Sequence, residues 1–213
     1  MLNNRQVYAI VGLAAVVWLG LSLTHAITEG PGAIFDLANL IPVLLLLGIV
    51  FEAWLWRWPP LHPHIIGTPV VRGTWRGMLT SMWPDPDLGG HPRPPKPAYV
   101  AIDQTLFTVS LRMLSDESES DQLVGAVAKL PNGKWAIAYA YHNIPNLPLR
   151  DGSRPHFGGA VVSVLGSSPD RLQGEYWNDR DAKGTFVMDA RCLVVAQSYA
   201  QAEALPFGPS AAS

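Results

Sequence analysis

Eight short stretches that alternate apolar and polar residues follow one another between residues 70 and 190, with turn residues and no helical pattern between them. Strands in that order favour an up-and-down antiparallel barrel: each pairs with the next, and closure removes the exposed edges. The expected strands are Val70–Ser81, Ala98–Gln104, Leu106–Leu114, Asp121–Lys129, Lys134–His142, His156–Leu165, Arg171–Trp177 and Gly184–Asp189. Pro131-Asn132-Gly133 and Ser167-Ser168-Pro169-Asp170 are the clearest turns. A closed eight-stranded sheet has an interior that side chains fill or that holds one small ligand. The expected fold is therefore all-β and lipocalin-like, with Trp75 plugging one end and Gly73 letting the first strand approach its neighbours.

Two apolar stretches precede the barrel, from about Val7 to Ile27 and from Ala33 to Trp56. Each has roughly the 20 residues needed to cross about 30 Å of hydrocarbon. Only Thr28-Glu29-Gly30-Pro31-Gly32 separates them, so they read as a two-helix transmembrane hairpin. Arg5, Arg57, Arg72 and Arg76 flank the spans while the turn carries only Glu29, which predicts an inner-membrane protein with both termini cytoplasmic. The expected organisation is a hairpin over 1–58, a Pro- and His-rich linker over 59–69, the barrel over 70–190 and a tail over 191–213. Trp54, Trp56 and Trp58 are expected at headgroup level, and Ser198 is expected to cap a short helix in the tail. Asp36 and Asn39 share a helical face in the second stretch, either at the interface or against neighbouring helices.

Several function classes are excluded or disfavoured. Cys192 is the single cysteine, so no intramolecular disulfide or cysteine-based zinc cluster exists. The part from Pro59 onward is near neutral, which gives no electrostatic reason to expect DNA or RNA. No G-x-S-x-G elbow, glycine-rich phosphate loop or complete catalytic set is present, so no enzyme, cofactor or metal site is expected. His62-Pro63-His64 reads as solvated linker, and Pro84 to Pro97 reads as a surface loop or a lid over one barrel mouth.

Aromatic residues are the better lead. Trp135, Ile137, Tyr139 and Tyr141 share a strand face, and Tyr176 lies on another strand. Aromatic faces stack on nucleobases for about 1–3 kcal/mol each, though tyrosines in barrels also simply pack. Thr108, Ser110 and Arg112 form one polar face, inward or outward, and Arg112 or Arg180 offers a bidentate partner for phosphate.

Six motifs in order carry a resemblance: Gly73-Thr74-Trp75-Arg76-Gly77; Ile102-Asp103-Gln104; Leu114-Ser115-Asp116-Glu117-Ser118-Glu119-Ser120; Tyr139-Ala140-Tyr141-His142-Asn143-Ile144-Pro145; His156-Phe157-Gly158; and Leu172-Gln173-Gly174-Glu175-Tyr176 with Arg180 and Gly184. The series resembles the two-transmembrane β-barrel effectors of bacterial CBASS antiphage defence. That resemblance implies binding of a cyclic dinucleotide made by a CD-NTase, oligomerisation with other copies, and disruption of the inner membrane by contact with its lipids. It implies Gln104, Ser118, Ser120, Tyr139, Tyr141, His156, Tyr176 and Arg180 at or around the ligand, beside the residue-level candidates Thr108 and Arg112. A membrane-tethered lipocalin-like binder of an apolar molecule is the alternative, and a structural subunit with a filled barrel is a third.

Overall fold

The computed structural model describes residues 47–85 and 88–208, with isolated positions before residue 47. The chain divides into two compact units, Met1–Thr68 with Thr105–Phe107, and Pro69–Gln104 with Thr108–Ser213.

In the first unit residues 47–53 are helical and pass into a 3₁₀ turn at Leu55–Arg57. Among the described residues no helix is long and apolar enough to cross a membrane. The expected N-terminal two-helix transmembrane hairpin is thereby corrected: the described fold is a closed barrel without one. Most residues of the two apolar stretches, Asp36 and Asn39 included, lie outside the described residues. The linker expectation changes too. Trp56 is wholly buried instead of standing at an interface, with the His62 ring edge-on at 6.1 Å. His62 is buried, not solvated, and its ring bonds the Thr68 carbonyl at 3.0 Å. Burial holds its pKa below the ordinary value. Glu52 accepts the Thr105 hydroxyl, and its carbonyl accepts the Leu106 N–H at 2.9 Å.

The second unit is the barrel. Its strands are β1 (Gly73–Ser81), β2 (Lys96–Gln104), β3 (Val109–Leu114), β4 (Ser118–Lys129), β5 (Trp135–Pro145), β6 (His156–Val164), β7 (Leu172–Asn178) and β8 (Lys183–Cys192). Each pairs antiparallel with the next, and β8 closes on β1, giving the expected eight-stranded closed sheet. Strand edges move by a few residues from expectation. β2 starts at Lys96 although Pro97 follows, because Pro97 opposes Met78 near the strand end, where a missing N–H is tolerated. β5 runs on to Pro145, three residues past His142.

The interior is one apolar cluster that includes Trp75, Val100, Ile102, Leu111, Ile137, Val162, Leu172, Phe186 and Met188. Repeated cross-strand pairs of an aromatic with a glycine build it. Tyr141 faces Gly158, Tyr176 faces Gly184 and Phe186 faces Gly174. A Cβ at Gly158 would stand 2.4 Å from the Tyr141 hydroxyl, and one at Gly184 2.6 Å from the Tyr176 ring. These glycines leave the volume that the rings occupy. Gly73 has a φ of 137° and lies so close to Cys192 that a Cβ would sit 2.4 Å from its carbonyl. Only glycine suits that close approach of β1 and β8.

β3 and β4 pair at only three positions before β4 bulges between Gln122 and Val124. The Gln122 side chain continues the ladder, accepting from Leu111 N–H at 3.0 Å and donating to the Val109 carbonyl at 2.8 Å. Outside the barrel, the tail folds back as the short helix α1 (Tyr199–Glu203), capped by Ser198 as expected. With Ala196 and Phe207 it covers Tyr99, Ala101 and Leu114 on the outer face of β2 and β3.

Candidate functional site

The two ends of the barrel are chemically unlike. At the tryptophan end, the Trp75 indole donates to the Val71 carbonyl at 2.8 Å, and the Arg191 guanidinium lies 5.1 Å from its ring centre. Arg191 also donates to the Arg72 carbonyl at 2.6 Å. Trp75 is fully buried, so this end is plugged by a residue with every polar atom bonded.

Gln104 belongs to the same end. Its side chain accepts from the Val71 N–H and donates to the Pro69 carbonyl, both at 2.8 Å, and it is buried. Thr108 is exposed just ahead of β3. Arg112 sits on the outer barrel face, paired with Asp121 at 2.5 Å and donating to the Gln197 carbonyl at 2.9 Å. The structure thus keeps Gln104, Thr108 and Arg112 apart from the other seven candidates.

Those seven gather at the opposite, tyrosine end. Register explains why: this end holds the last residues of β1, β3, β5 and β7 and the first of β2, β4, β6 and β8. On β4, Ser118 hydrogen-bonds within the Ser115–Ser118 turn, and Ser120 donates to the Asn143 side chain at 2.6 Å. Asn143 follows Tyr139 and Tyr141 at period two on β5, so it shares their inward face. His156 opposes Asn143 across β5 and β6, its Nδ1 3.1 Å from the Arg154 carbonyl.

Three tyrosines line this end. The rings of Tyr139 and Tyr141 are 6.0 Å apart and tilted. The Tyr141 hydroxyl donates to the Trp177 carbonyl at 3.2 Å, and the Tyr176 phenol lies near the Ser81 side chain. Burial pushes the Tyr141 phenol up to about 12, with Tyr176 and Asp179 adding to the shift, and burial raises Tyr139 and Tyr176 as well. All three are neutral hydrogen-bonding aromatics at any physiological pH. Arg180 projects from the β7–β8 turn and donates to the Ser153 hydroxyl at 3.1 Å and the Arg154 carbonyl at 3.3 Å.

Chemically, this end offers aromatic surfaces, hydroxyls, an amide, an imidazole and nearby cations above an apolar floor. That set suits a planar, hydrogen-bonding anion better than a hydrocarbon. Among the described residues no group of three or more His, Cys, Asp or Glu could hold a metal ion. Residue-by-residue reading passed over Ser81, Lys96 and Asn143. Period two extended by one step past Tyr141 finds Asn143. Lys96 was masked by the prolines on either side of it.

No curated protein matches the chain. A family model does, over residues 66–190 of 213, and those limits enclose β1 to β7 and most of β8. The chain therefore belongs to the family described as Cap15, cyclic dinucleotide receptor domain, the receptor of CBASS effectors.

Proposed function

We propose that the tyrosine end is the cyclic dinucleotide site of this effector and that the barrel binds its ligand without making or breaking a bond. One observation carries the reading: seven residues scattered from Ser118 to Arg180 in sequence meet at one barrel end, while the other end is plugged by Trp75. Tyr139, Tyr141 and Tyr176 supply stacking faces, Ser118, Ser120, Asn143 and His156 supply hydrogen bonds, and Arg180 supplies charge at the rim. The polar lining argues against an apolar metabolite, the other reading of such a barrel.

The output belongs to the same proposal: ligand-loaded copies self-associate and disrupt the bacterial inner membrane, where the chain resides with its barrel on the cytoplasmic side. The apolar composition of residues 7–27 and 33–56 supports contact with lipid. The test of the site is calorimetric titration of the full chain in mild detergent with 3′,3′-linked cyclic di-GMP, cyclic di-AMP and cyclic GMP–AMP. Binding by at least one, lost in Tyr141→Ala and weakened in Arg180→Ala, is the expected result. Absence of binding by all three overturns the reading. Sedimentation with and without the bound dinucleotide, and dye release from liposomes, test the output; ligand that changes neither removes it.

A further inference from the structure

At the tyrosine end β2 begins with Lys96. Its inward parity follows from Ala98, Val100 and Ile102, all in the interior cluster, and from its pairing with inward-facing Leu79. Arg191, a cation beside the interior, is engaged at the opposite end by Trp75 and the Arg72 carbonyl. Lys96 is therefore a strand cation at the tyrosine end that occupies the inward-facing register of β2.

Its ammonium is already occupied by oxygen anions. Glu117 Oε2 is bonded to Nζ, and Asp116 Oδ1 lies 3.7 Å away. Both carboxylates sit in the β3–β4 turn, which crosses the rim of the same end. Arg93 joins the cluster, bonded to Asp85 and 3.7 Å from Glu117 Oε1. Among the described residues two cations thus meet three carboxylates where a dianionic ligand would have to arrive. Lys96 is only 30% exposed and Glu117 44%, so the pair is partly shielded from solvent. A carboxylate held on a lysine occupies the same geometry as a phosphodiester oxygen.

We infer that Lys96 is the phosphate-binding cation of the site and that Glu117 is an internal competitor that must yield Lys96 to the ligand. This rests on the cyclic dinucleotide reading above and adds to it a specificity element. A non-bridging phosphodiester oxygen replaces Glu117 Oε2 on the ammonium, and the released carboxylate stays with Arg93. Exchange of one anion for another keeps the lysine paired in both states, so no buried charge is left alone. It also sets a threshold: only a ligand that offers both a phosphate at Lys96 and bases for the tyrosines outcompetes a carboxylate covalently tethered nearby. Inorganic phosphate lacks the bases altogether, and a mononucleotide offers only one of the two.

The test is calorimetry of the full chain with the same three cyclic dinucleotides at fixed ionic strength, comparing wild type, Lys96→Gln, Glu117→Gln and the double variant. Lys96→Gln should weaken binding tenfold or more, as expected for loss of a charge-assisted contact. Glu117→Gln should tighten it about three- to tenfold, a gain that damage to the fold cannot produce. In the Lys96→Gln background that gain should vanish, because Glu117 acts through Lys96. Wild-type binding that Glu117→Gln leaves unchanged, or a gain that persists without Lys96, overturns this inference and leaves the cyclic dinucleotide reading standing. Wild type that binds none of the three overturns both. Thermal midpoints of each variant identify a misfolded Lys96→Gln, in which case the gain in Glu117→Gln alone decides.

Discussion

Gln104 gives the sharpest separation between holding the barrel and holding a ligand. Its amide bonds two buried backbone groups, the Val71 N–H and the Pro69 carbonyl, each at 2.8 Å. Replacing it with methionine keeps the volume and deletes both bonds. Leaving one buried polar group unsatisfied costs about 1–3 kcal/mol. Two such groups, with partial relief from relaxation of the strand entrance, give about 2–4 kcal/mol. For a domain of this size each kcal/mol lowers the thermal midpoint by about 2–4 °C. Gln104→Met should therefore melt about 5–15 °C lower, measured by circular dichroism of the β signal in mild detergent. Below its melting point it should bind a cyclic dinucleotide like wild type, because Gln104 lies at the tryptophan end. A midpoint within 1 °C of wild type refutes the hydrogen-bond accounting. A normal midpoint with lost binding would instead move the ligand to the other end of the barrel.

Three further outcomes are expected. Gly158→Ala places a Cβ 2.4 Å from both the Trp177 carbonyl and the Tyr141 hydroxyl. It should cost about 1–3 kcal/mol by overpacking and weaken ligand binding through the displaced Tyr141, read by thermal melting and calorimetry together. Arg112→Ala removes a half-exposed pair with Asp121 and the tie to the Gln197 carbonyl on the outer face. Stability should fall by about 1 kcal/mol or less, and calorimetry should show unchanged ligand affinity. The buried phenols predict alkaline lability. Tyr141 is raised from the ordinary 10 to about 12, so between those values the folded chain keeps a proton that the unfolded chain has released. Stability that is present below pH 10 should decline as pH rises toward 12, and Tyr141→Phe should flatten the decline in melting curves recorded across that range.

How much of this was legible in the sequence depends on which physical signal each element leaves. Strand order was legible because alternation survives even where the strand ends shift. The Trp75 plug and the Gly73 approach were legible because an indole within a strand and a glycine two residues before it leave little choice of role. Orientation of isolated polar residues was not. Thr108, Ser110 and Arg112 alternate equally well facing in or out, and what decides Arg112 is Asp121 on the neighbouring strand and Gln197, far away in sequence. Lys96 was hidden because proline on both sides argues for a loop, whereas at a strand end next to β1 that proline disrupts nothing. The end of the second apolar stretch shows the reverse error: hydropathy placed Trp56 at headgroup level, whereas it is buried in its own unit. Burial of Trp56 and His62 depends on contacts that hydropathy cannot register.

The unlike ends also explain how so small a barrel can be both stable and receptive. An interior held by apolar packing alone would close over any ligand volume, and one lined by polar groups alone would leave too many of them unpaired when empty. Here several polar groups of the tyrosine end are paired in advance. Ser120 is held by Asn143, Tyr141 by the Trp177 carbonyl, Arg180 by Ser153 and Lys96 by Glu117. Each of these partners lies within the barrel or its own turns, so at these groups a ligand gains by exchanging bonds. Such exchange makes affinity depend on the number of contacts exchanged together, since any single one is close to neutral. A ligand with two bases and two phosphates can make many exchanges at once, whereas a fragment of it cannot. Discrimination against mononucleotides then follows from the pre-paired architecture itself, with no need for steric exclusion.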